Sequence, residues 1–444
     1  MNSAAPGDGV TAAPRARGAG PASRIVSAGL CIVATACLPA CSGRSPATPP
    51  APAGPTPIVP DAPPAPDVVQ LAVGAHHACV RHRDGGVSCW GSDGGSGQMG
   101  DGGNVAHPAP RRVPGLRDVV AIAAGAQFTL ALDRSGGVWC WGESACGAGG
   151  AGRRAAVTLR PRRVPIPRAA AVFAAMTTAC ARLESGATHC WGDLPAVGAE
   201  PDAWGGSWPA HAPTRAPLSR PVALHATIGT VCAVEQPPDR ADAPPEGAVR
   251  CWSSSGLGEL LAPPRPAHAA FDAVVPLPAP ARAVAVDVGI VCAIVAERAA
   301  AAGGAAAPGA VPVDPARAVR CWGNGATSYG APPGTSGPVA LALPSPAELA
   351  VLQELVCARD DAGDVACVGR HGLRRGGRET WTAAATPTRI PDLDDAAQLA
   401  AGPGQLCVLR RDGAVRCAEH VAPPAPPGPT RSPAPHAPSP AHRR

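Results

Sequence analysis

The sequence predicts an all-β chain folded as a seven-bladed β-propeller, with its hairpins stapled by disulfides and its ring closed by an N-terminal strand. Three observations carry this expectation. Cysteine pairs ten residues apart recur: Cys79 with Cys89, Cys180 with Cys190, Cys357 with Cys367, and Cys407 with Cys417. A glycine stands six residues after the first position of the pair, as Gly85, Gly136, Gly186, Gly363 and Gly413. Alternating apolar runs such as "DVVQLAVG", "DVVAIAAG" and "DAAQLAAG" come just before, and period-two alternation bounded by Gly and Pro is a strand signal.

The spacing of ten has a geometric meaning. A three-residue hairpin loop, here Arg83-Asp84-Gly85, needs positive φ in its last place, which glycine supplies. His82 then faces Gly86, Arg81 faces Val87, Val80 faces Ser88, and Cys79 faces Cys89. Opposed residues in an antiparallel pair lie about 4.5–5.5 Å apart at Cα. A disulfide spans about 4.4–6.8 Å, so each hairpin carries its own cross-link. Closing so short a loop contributes about 2–3 kcal/mol per bridge. That contribution matters in a chain with only 3% aromatic residues to fill a core.

Seven units follow from the repeat. Two further pairs, Cys232 with Cys251 and Cys292 with Cys321, carry insertions in their hairpin loops, at 233–250 and 293–320. One unit has Leu130 at the first position, then Cys140. The first positions (79, 130, 180, 232, 292, 357, 407) lie 50 to 65 residues apart, and a period of this size signals a repeat architecture. Seven units of four short strands make a radial propeller. The last unit lacks the "RRVPGL" strand of the first. The stretch "TPIVPDAPPAPDVV" supplies it from the front of the chain, so Ile58 and Val59 are expected to complete the blade of Cys407 and Cys417. An open solenoid is the alternative, and it would need polar capping units.

The cysteine arithmetic closes. Of 17 cysteines, Cys31, Cys37 and Cys41 belong to the leader, leaving 14. Six hairpin pairs use twelve; Cys140 and Cys146 remain and are expected to bond each other. Zinc sites show close Cys-x2-4-Cys pairs; these fourteen have none, so no metal and no cofactor are expected. Cysteine at this density belongs to an oxidising compartment.

The front of the chain agrees. Residues 1–41 read as an export signal: Arg15, Arg17 and Arg24, then the apolar run "IVSAGLCIVATACLPA", ending in Leu38-Pro39-Ala40-Cys41-Ser42. The run is shorter than the roughly 20 residues a membrane span needs. Its end resembles a bacterial lipobox, in which Cys41 is lipidated; an ordinary secretory signal or a short anchor is the alternative. Ser42 after that cysteine favours the outer membrane of a Gram-negative cell. Residues 42–55 form a Pro/Ala-rich tether, residues 56–420 the propeller, and residues 421–444 a Pro-rich disordered tail.

The unit pattern resembles the regulator of chromosome condensation repeat. Unit one carries Gly74, His77, Cys79, Asp84, Gly85, Val87, Cys89, Trp90 and Gly91, then Gly97-Gln98-Met99-Gly100. The resemblance runs over residues 56–420, is strong in units one to three and weaker later; in units six and seven Val368 and Ala418 follow the second cysteine. It implies a propeller and a binding role; fold alone does not name a function. The family's founder is a nuclear nucleotide-exchange factor, and an exchange-type role rests on that analogy only. Exported bacterial members that inhibit β-lactamases imply a binding face.

No catalytic pattern stands out: Gly-Lys-Ser/Thr, His-Glu-x-x-His and Gly-x-Ser-x-Gly are absent. His77 has no repeated counterpart, since Phe128, Thr178, Thr230, Ile290, Leu355 and Gln405 fill its place elsewhere, and a structural role is expected. Trp90, Trp141, Trp191, Trp252 and Trp322 follow the second cysteine and are expected between blades. Trp204 and Trp208, in "DAWGGSW", fall in the long connecting loop after unit three, outside the repeat, and are the candidate partner contacts, or they cover a blade edge. A net charge of +5 with 3% aromatics shows no basic stripe with interleaved rings, so nucleic acid is not expected. The expected function is a non-enzymatic, envelope-anchored binding scaffold, monomeric, contacting a protein or polysaccharide through its loop faces and the membrane only through its lipid. An enzyme on extracellular polymer, with carboxylates at one end of the channel, is the alternative.

Mass mapping of peptides from the unreduced, exported protein is expected to join Cys79 to Cys89 and Cys140 to Cys146. A Cys79 linked to another unit would remove the register.

Overall fold

The computed structural model describes residues 59–422, except 93–94, 144–145, 147–156, 195–207, 228–229, 237–246, 254–270, 288–289, 297–316, 324–337, 354 and 383–385. The leader with Cys41, the tether of residues 42–55, residues 56–58 with Ile58, and the tail from 423 lie outside the described residues.

Seven antiparallel sheets form seven blades. Blade one is β1 (Val68–Val73), β2 (His77–His82), β3 (Val87–Gly91) and β4 (His107–Arg112). Blade two is β5 (Val119–Ala124), β6 (Phe128–Asp133), β7 (Val138–Gly142) and β8 (Thr158–Arg163). Blade three is β9 (Ala169–Ala175), β10 (Thr178–Leu183), β11 (Ala187–Leu194) and β12 (Trp208–Ser219). Blade four is β13 (Pro221–Thr227), β14 (Thr230–Glu235), β15 (Ala248–Ser253) and β16 (Phe271–Val274). Blade five is β17 (Ala281–Asp287), β18 (Ile290–Val295), β19 (Ala318–Trp322) and β20 (Val339–Leu341). Unit six supplies β21 (Pro346–Leu352), β22 (Leu355–Asp360) and β23 (Val365–Gly369), then an extra hairpin, β24 (Gly372–Arg375) and β25 (Arg378–Trp381), before its outer strand β26 (Thr388–Arg389). Unit seven is β27 (Ala396–Gly402), β28 (Gln405–Arg410) and β29 (Val415–Val421), and the extra hairpin joins it to give the order β25-β24-β29-β28-β27.

The hairpin register is the one the spacing requires. Cys79 pairs with Cys89, Val80 with Ser88, and Arg81 with Val87. The His82 N–H donates to the Gly86 carbonyl at 2.9 Å, which puts Cys79 and Cys89 at a narrow, non-hydrogen-bonded position. Their Cα atoms are 4.1 Å apart, closer than the expected span. The other five hairpin pairs match at 4.0–4.1 Å, and Cys140 lies 5.2 Å from Cys146; all seven pairs are at disulfide distance. Gly85 has φ 79°, and a Cβ there would meet Asp118 Cα at 2.8 Å. The glycine therefore makes the turn and also admits the chain entering blade two.

Trp90, Trp141, Trp191 and Trp322 are buried, as are all seven residues at the His77 position. His77 Nε2 lies 2.9 Å from Thr129 Oγ1, across the boundary between blades one and two. Burial pushes its pKa from 6.5 down to about 3, with the neighbouring His76 adding to the effect.

The blades are also stitched at their inner strands. Each inner strand carries a register irregularity at the same place, after its first residue, and such bulges re-aim a side chain. The residue that follows is Gln70, Ala121, Ala171, Ala223, Ala283, Glu348 or Gln398. Where it is long, it reaches the next blade. Gln398 accepts from the Leu71 N–H at 2.8 Å and donates to the Leu71 carbonyl at 2.9 Å. Gln70 makes the same two contacts with Ile122, at 3.1 and 3.0 Å. Glu348 accepts from the Leu399 N–H at 2.6 Å. Each glutamine amide stands in for a strand, satisfying an N–H and a C=O that would otherwise lack a partner.

Closure differs in detail from the expectation. Val59 is buried beside Trp90 and Val415, but the paired residue is Ala62, bridged to Val415 in both directions at 3.0 and 3.1 Å. Pro60, Pro63 and Pro64 have no N–H to donate, so a single bridge is all that this segment forms. Asp61 extends it by accepting from the Cys417 N–H at 3.0 Å. The remaining length of β29 is covered by β24, a contribution the repeat pattern did not announce.

Gln398→Ala is expected to lower stability by roughly 1–2 kcal/mol in urea unfolding, because it strands both groups of Leu71. His77→Thr is expected to reduce acid sensitivity. Below pH 6.5 the unfolded chain gains a proton that folded His77 refuses until about pH 3. Stability therefore falls as pH drops through that window, by at most about 1.4 kcal/mol per pH unit. The variant should lose less between pH 7 and pH 5 in the same assay.

Candidate functional site

The sequence candidates disperse in the structure. His76, His77 and His82 are neighbours in sequence only. His76 is exposed and His77 is buried, while His82 sits between Asp67 Oδ2 and Ser88 Oγ, each at 2.8 Å. Trp204 lies outside the described residues. Trp208 is not on a connecting loop: it opens β12, the outermost strand of blade three, paired with Leu194.

One end of the central channel is a small cavity of about 60 Å³, lined by Val73, Ala124, Ala174, Ala226, Val286 and Ala401, with His225 and Asp287. Its two titratable groups are already engaged. His225 Nδ1 accepts from the Val286 N–H at 3.1 Å, which leaves the ring proton on Nε2. Burial lowers its pKa, against the opposing pull of Asp287. Asp287 accepts from the Gln353 N–H of the next blade. Both side chains therefore join inner strands of neighbouring blades, and Asp287 is the one carboxylate among the described residues lining that cavity.

The extra hairpin is a different kind of place. Its turn, Gly376-Gly377, has φ 55° and 78°, the two-residue type I′ geometry that glycine pairs favour. Leu373 is buried beneath it, whereas Trp381 is 42% exposed. The hairpin is held firmly. Arg375 makes a bidentate pair with Asp61, both distances 2.9 Å, and donates to the Cys417 carbonyl. Arg374 lies 2.9 Å from Glu379 and 3.6 Å from Glu419. His371 Nδ1 meets His420 Nε2 at 2.6 Å. Beside it opens a cleft of about 280 Å³, lined by Leu373, Arg378, Thr380, Ile390, Asp392 and Ala418 among others. Rigid walls, an apolar floor and an exposed aromatic suit the binding of a partner. The sequence signal was present: Gly-Gly between "GLRR" and "RETW" reads as a two-residue hairpin. It falls inside unit six, where departures from the repeat looked like decay.

Comparison with known proteins fits this architecture. Two models described as regulator of chromosome condensation (RCC1) repeat match, one at residues 68–98 and 119–148, the other at 84–132. Among solved structures, the chain is similar to Prp20p from Saccharomyces cerevisiae at 16% identity and TM-score 0.55, covering 81% of this chain and 83% of that one. It is similar to human WBSCR16 at 14% identity and TM-score 0.55, covering 80% and 86%. It is also similar to yeast RCC1 (Prp20) in complex with Kap60, at 15% identity and TM-score 0.55, covering 81% of each. At these identities the likeness is one of fold. The chain carries regulator of chromosome condensation repeats, matched in the units that build its first two blades.

Proposed function

We propose that this chain is a non-enzymatic binding scaffold, exported and held at the cell envelope by a lipid on Cys41 and the tether of residues 42–55, and that it engages a partner protein. The single observation behind this reading is the contrast between two sites. The polar groups at the channel end hold neighbouring blades together, whereas the unit-six hairpin presents an exposed Trp381 and an open cleft outside the repeat. Solved relatives of this fold are described as binding proteins: Prp20p with Gsp1p and histones, and yeast RCC1 with Kap60. Seven cysteine pairs at disulfide distance support an oxidising home. In this reading Trp204 and Trp208, in the stretch that leads into β12, offer a second contact, and a polysaccharide is the alternative ligand there.

The full-length tagged chain, cross-linked on intact cells, is expected to bring down one protein at constant yield. Trp381→Ala, an exposed site with little effect on stability, should lower that yield at least fivefold. Equal yields would remove the hairpin as the site, and recovery of no protein would remove the scaffold reading.

A further inference from the structure

The outer strands of blades are open edges, and open edges are templates for pairing with another chain. In blades one to three they are guarded by proline: Pro108 and Pro110 in β4, Pro161 in β8, and Pro209, Pro213 and Pro217 in β12. Arginines add charge at the same edges, with Arg111 and Arg112 in β4 and Arg160, Arg162 and Arg163 in β8. In blade six the edge strand β26 has only two residues. The outer strands of blades four and five, β16 and β20, are short and carry no proline, and β25 shares that lack of a proline guard. It is the open edge of the five-stranded sheet, and its sequence, Arg-Glu-Thr-Trp, contains no proline.

The turn fixes which backbone groups β25 presents. A two-residue turn makes Arg375 and Arg378 a hydrogen-bonded pair, and Leu373 with Thr380 the next. The Thr382 N–H donates to the His371 carbonyl at 3.2 Å, continuing the series. The N–H and C=O of Glu379 and Trp381 therefore point away from β24, toward the open edge. The cleft lies along this hairpin, with Leu373, Ile390 and Ala418 buried on its floor. The charges on the hairpin are unequally matched. Arg374 and Arg375 are paired with Glu379, Glu419 and Asp61. Arg370 and Arg378 are exposed and show no ion pair among the described residues. Asp392 lines the other wall, so the unmatched positive charge belongs to the hairpin side.

We propose that β25 is a strand-addition site for an extended acidic peptide segment of a protein partner. Glu379 and Trp381 would give it main-chain hydrogen bonds, the apolar floor would take alternate side chains, and Arg378 would select for acid. This mode of recognition uses backbone for affinity and pockets for specificity. It rests on the binding reading above and adds the mode and the partner chemistry.

The test uses the full-length chain and three labelled, capped hexapeptides read by fluorescence anisotropy. One alternates glutamate and valine, one alternates lysine and valine, and the third is the glutamate peptide methylated on alternate backbone nitrogens. The glutamate peptide should bind at least tenfold more tightly than either of the others. Glu379→Pro removes one outward N–H and leaves the β24 pairing in place, so it should weaken binding at least tenfold. Glu379→Ala, which keeps the N–H, should not weaken it. Arg378→Glu, at an exposed position, should reverse the preference toward the lysine peptide. Equal binding of all three peptides, or wild-type binding by Glu379→Pro, overturns strand addition. If the cross-linked partner is still lost in Trp381→Ala, the scaffold reading survives that failure.

Discussion

The narrow cross-strand position at the centre of each hairpin is the constraint from which the rest follows. A blade here has few ring-bearing side chains to interdigitate with its neighbours. Six of the seven blades place a cysteine pair where antiparallel backbones approach most closely. Bonding there fixes the register, and a register error of one residue would turn every side chain to the opposite face. Blade two shows the alternative. Leu130 takes the cysteine's place opposite Cys140, and Cys140 turns to Cys146 on the following loop. The cross-link then ties strand to loop, while Leu130, fully buried, supplies the packing.

Registers within blades do not make a ring. Buried apolar clusters span each pair of neighbouring blades, and polar groups acting on backbone add to them at the inner strands. The glutamine contacts gather where the ring begins and ends, from blade seven to one and from one to two. Glu348 serves between blades six and seven, and His225 and Asp287 between four, five and six. The seam thus carries the paired amide contacts, while the middle of the ring has alanine at the same positions.

Much of this was legible in the sequence because cysteine spacing and hairpin geometry share one arithmetic. The six hairpin pairs and the glycine turns follow from it, Cys140 and Cys146 are what it leaves over, and the buried tryptophans with described side chains follow from the repeat. What escaped was whatever that arithmetic does not count. Gln70 and Gln398 read as the polar members of an alternating strand, because nothing local shows that a bulge aims them at the next blade. Val59 looked like a pairing residue on hydropathy, yet prolines decide which amides remain available, and among the described residues of this segment Ala62 is the one that pairs. The hairpin at 372–381 sits inside a unit and joins the sheet of the next, so its partner is invisible to a search for repeats. Trp208 looked like loop because β12, with three prolines, does not read as a strand.

The seam is also where the chain leaves the ring toward its N-terminus. Any tension applied upstream of Val59 arrives first at the Ala62–Val415 bridge and the Asp61–Arg375 pair. Pulling there would thus act on the one joint that is not covalently continuous with the next blade. The hairpin borrowed from unit six lies across that joint as a second latch, engaging β29 on one side and Asp61 on the other. Detaching the leading segment under force would therefore leave β29 still paired with β24 along part of its length.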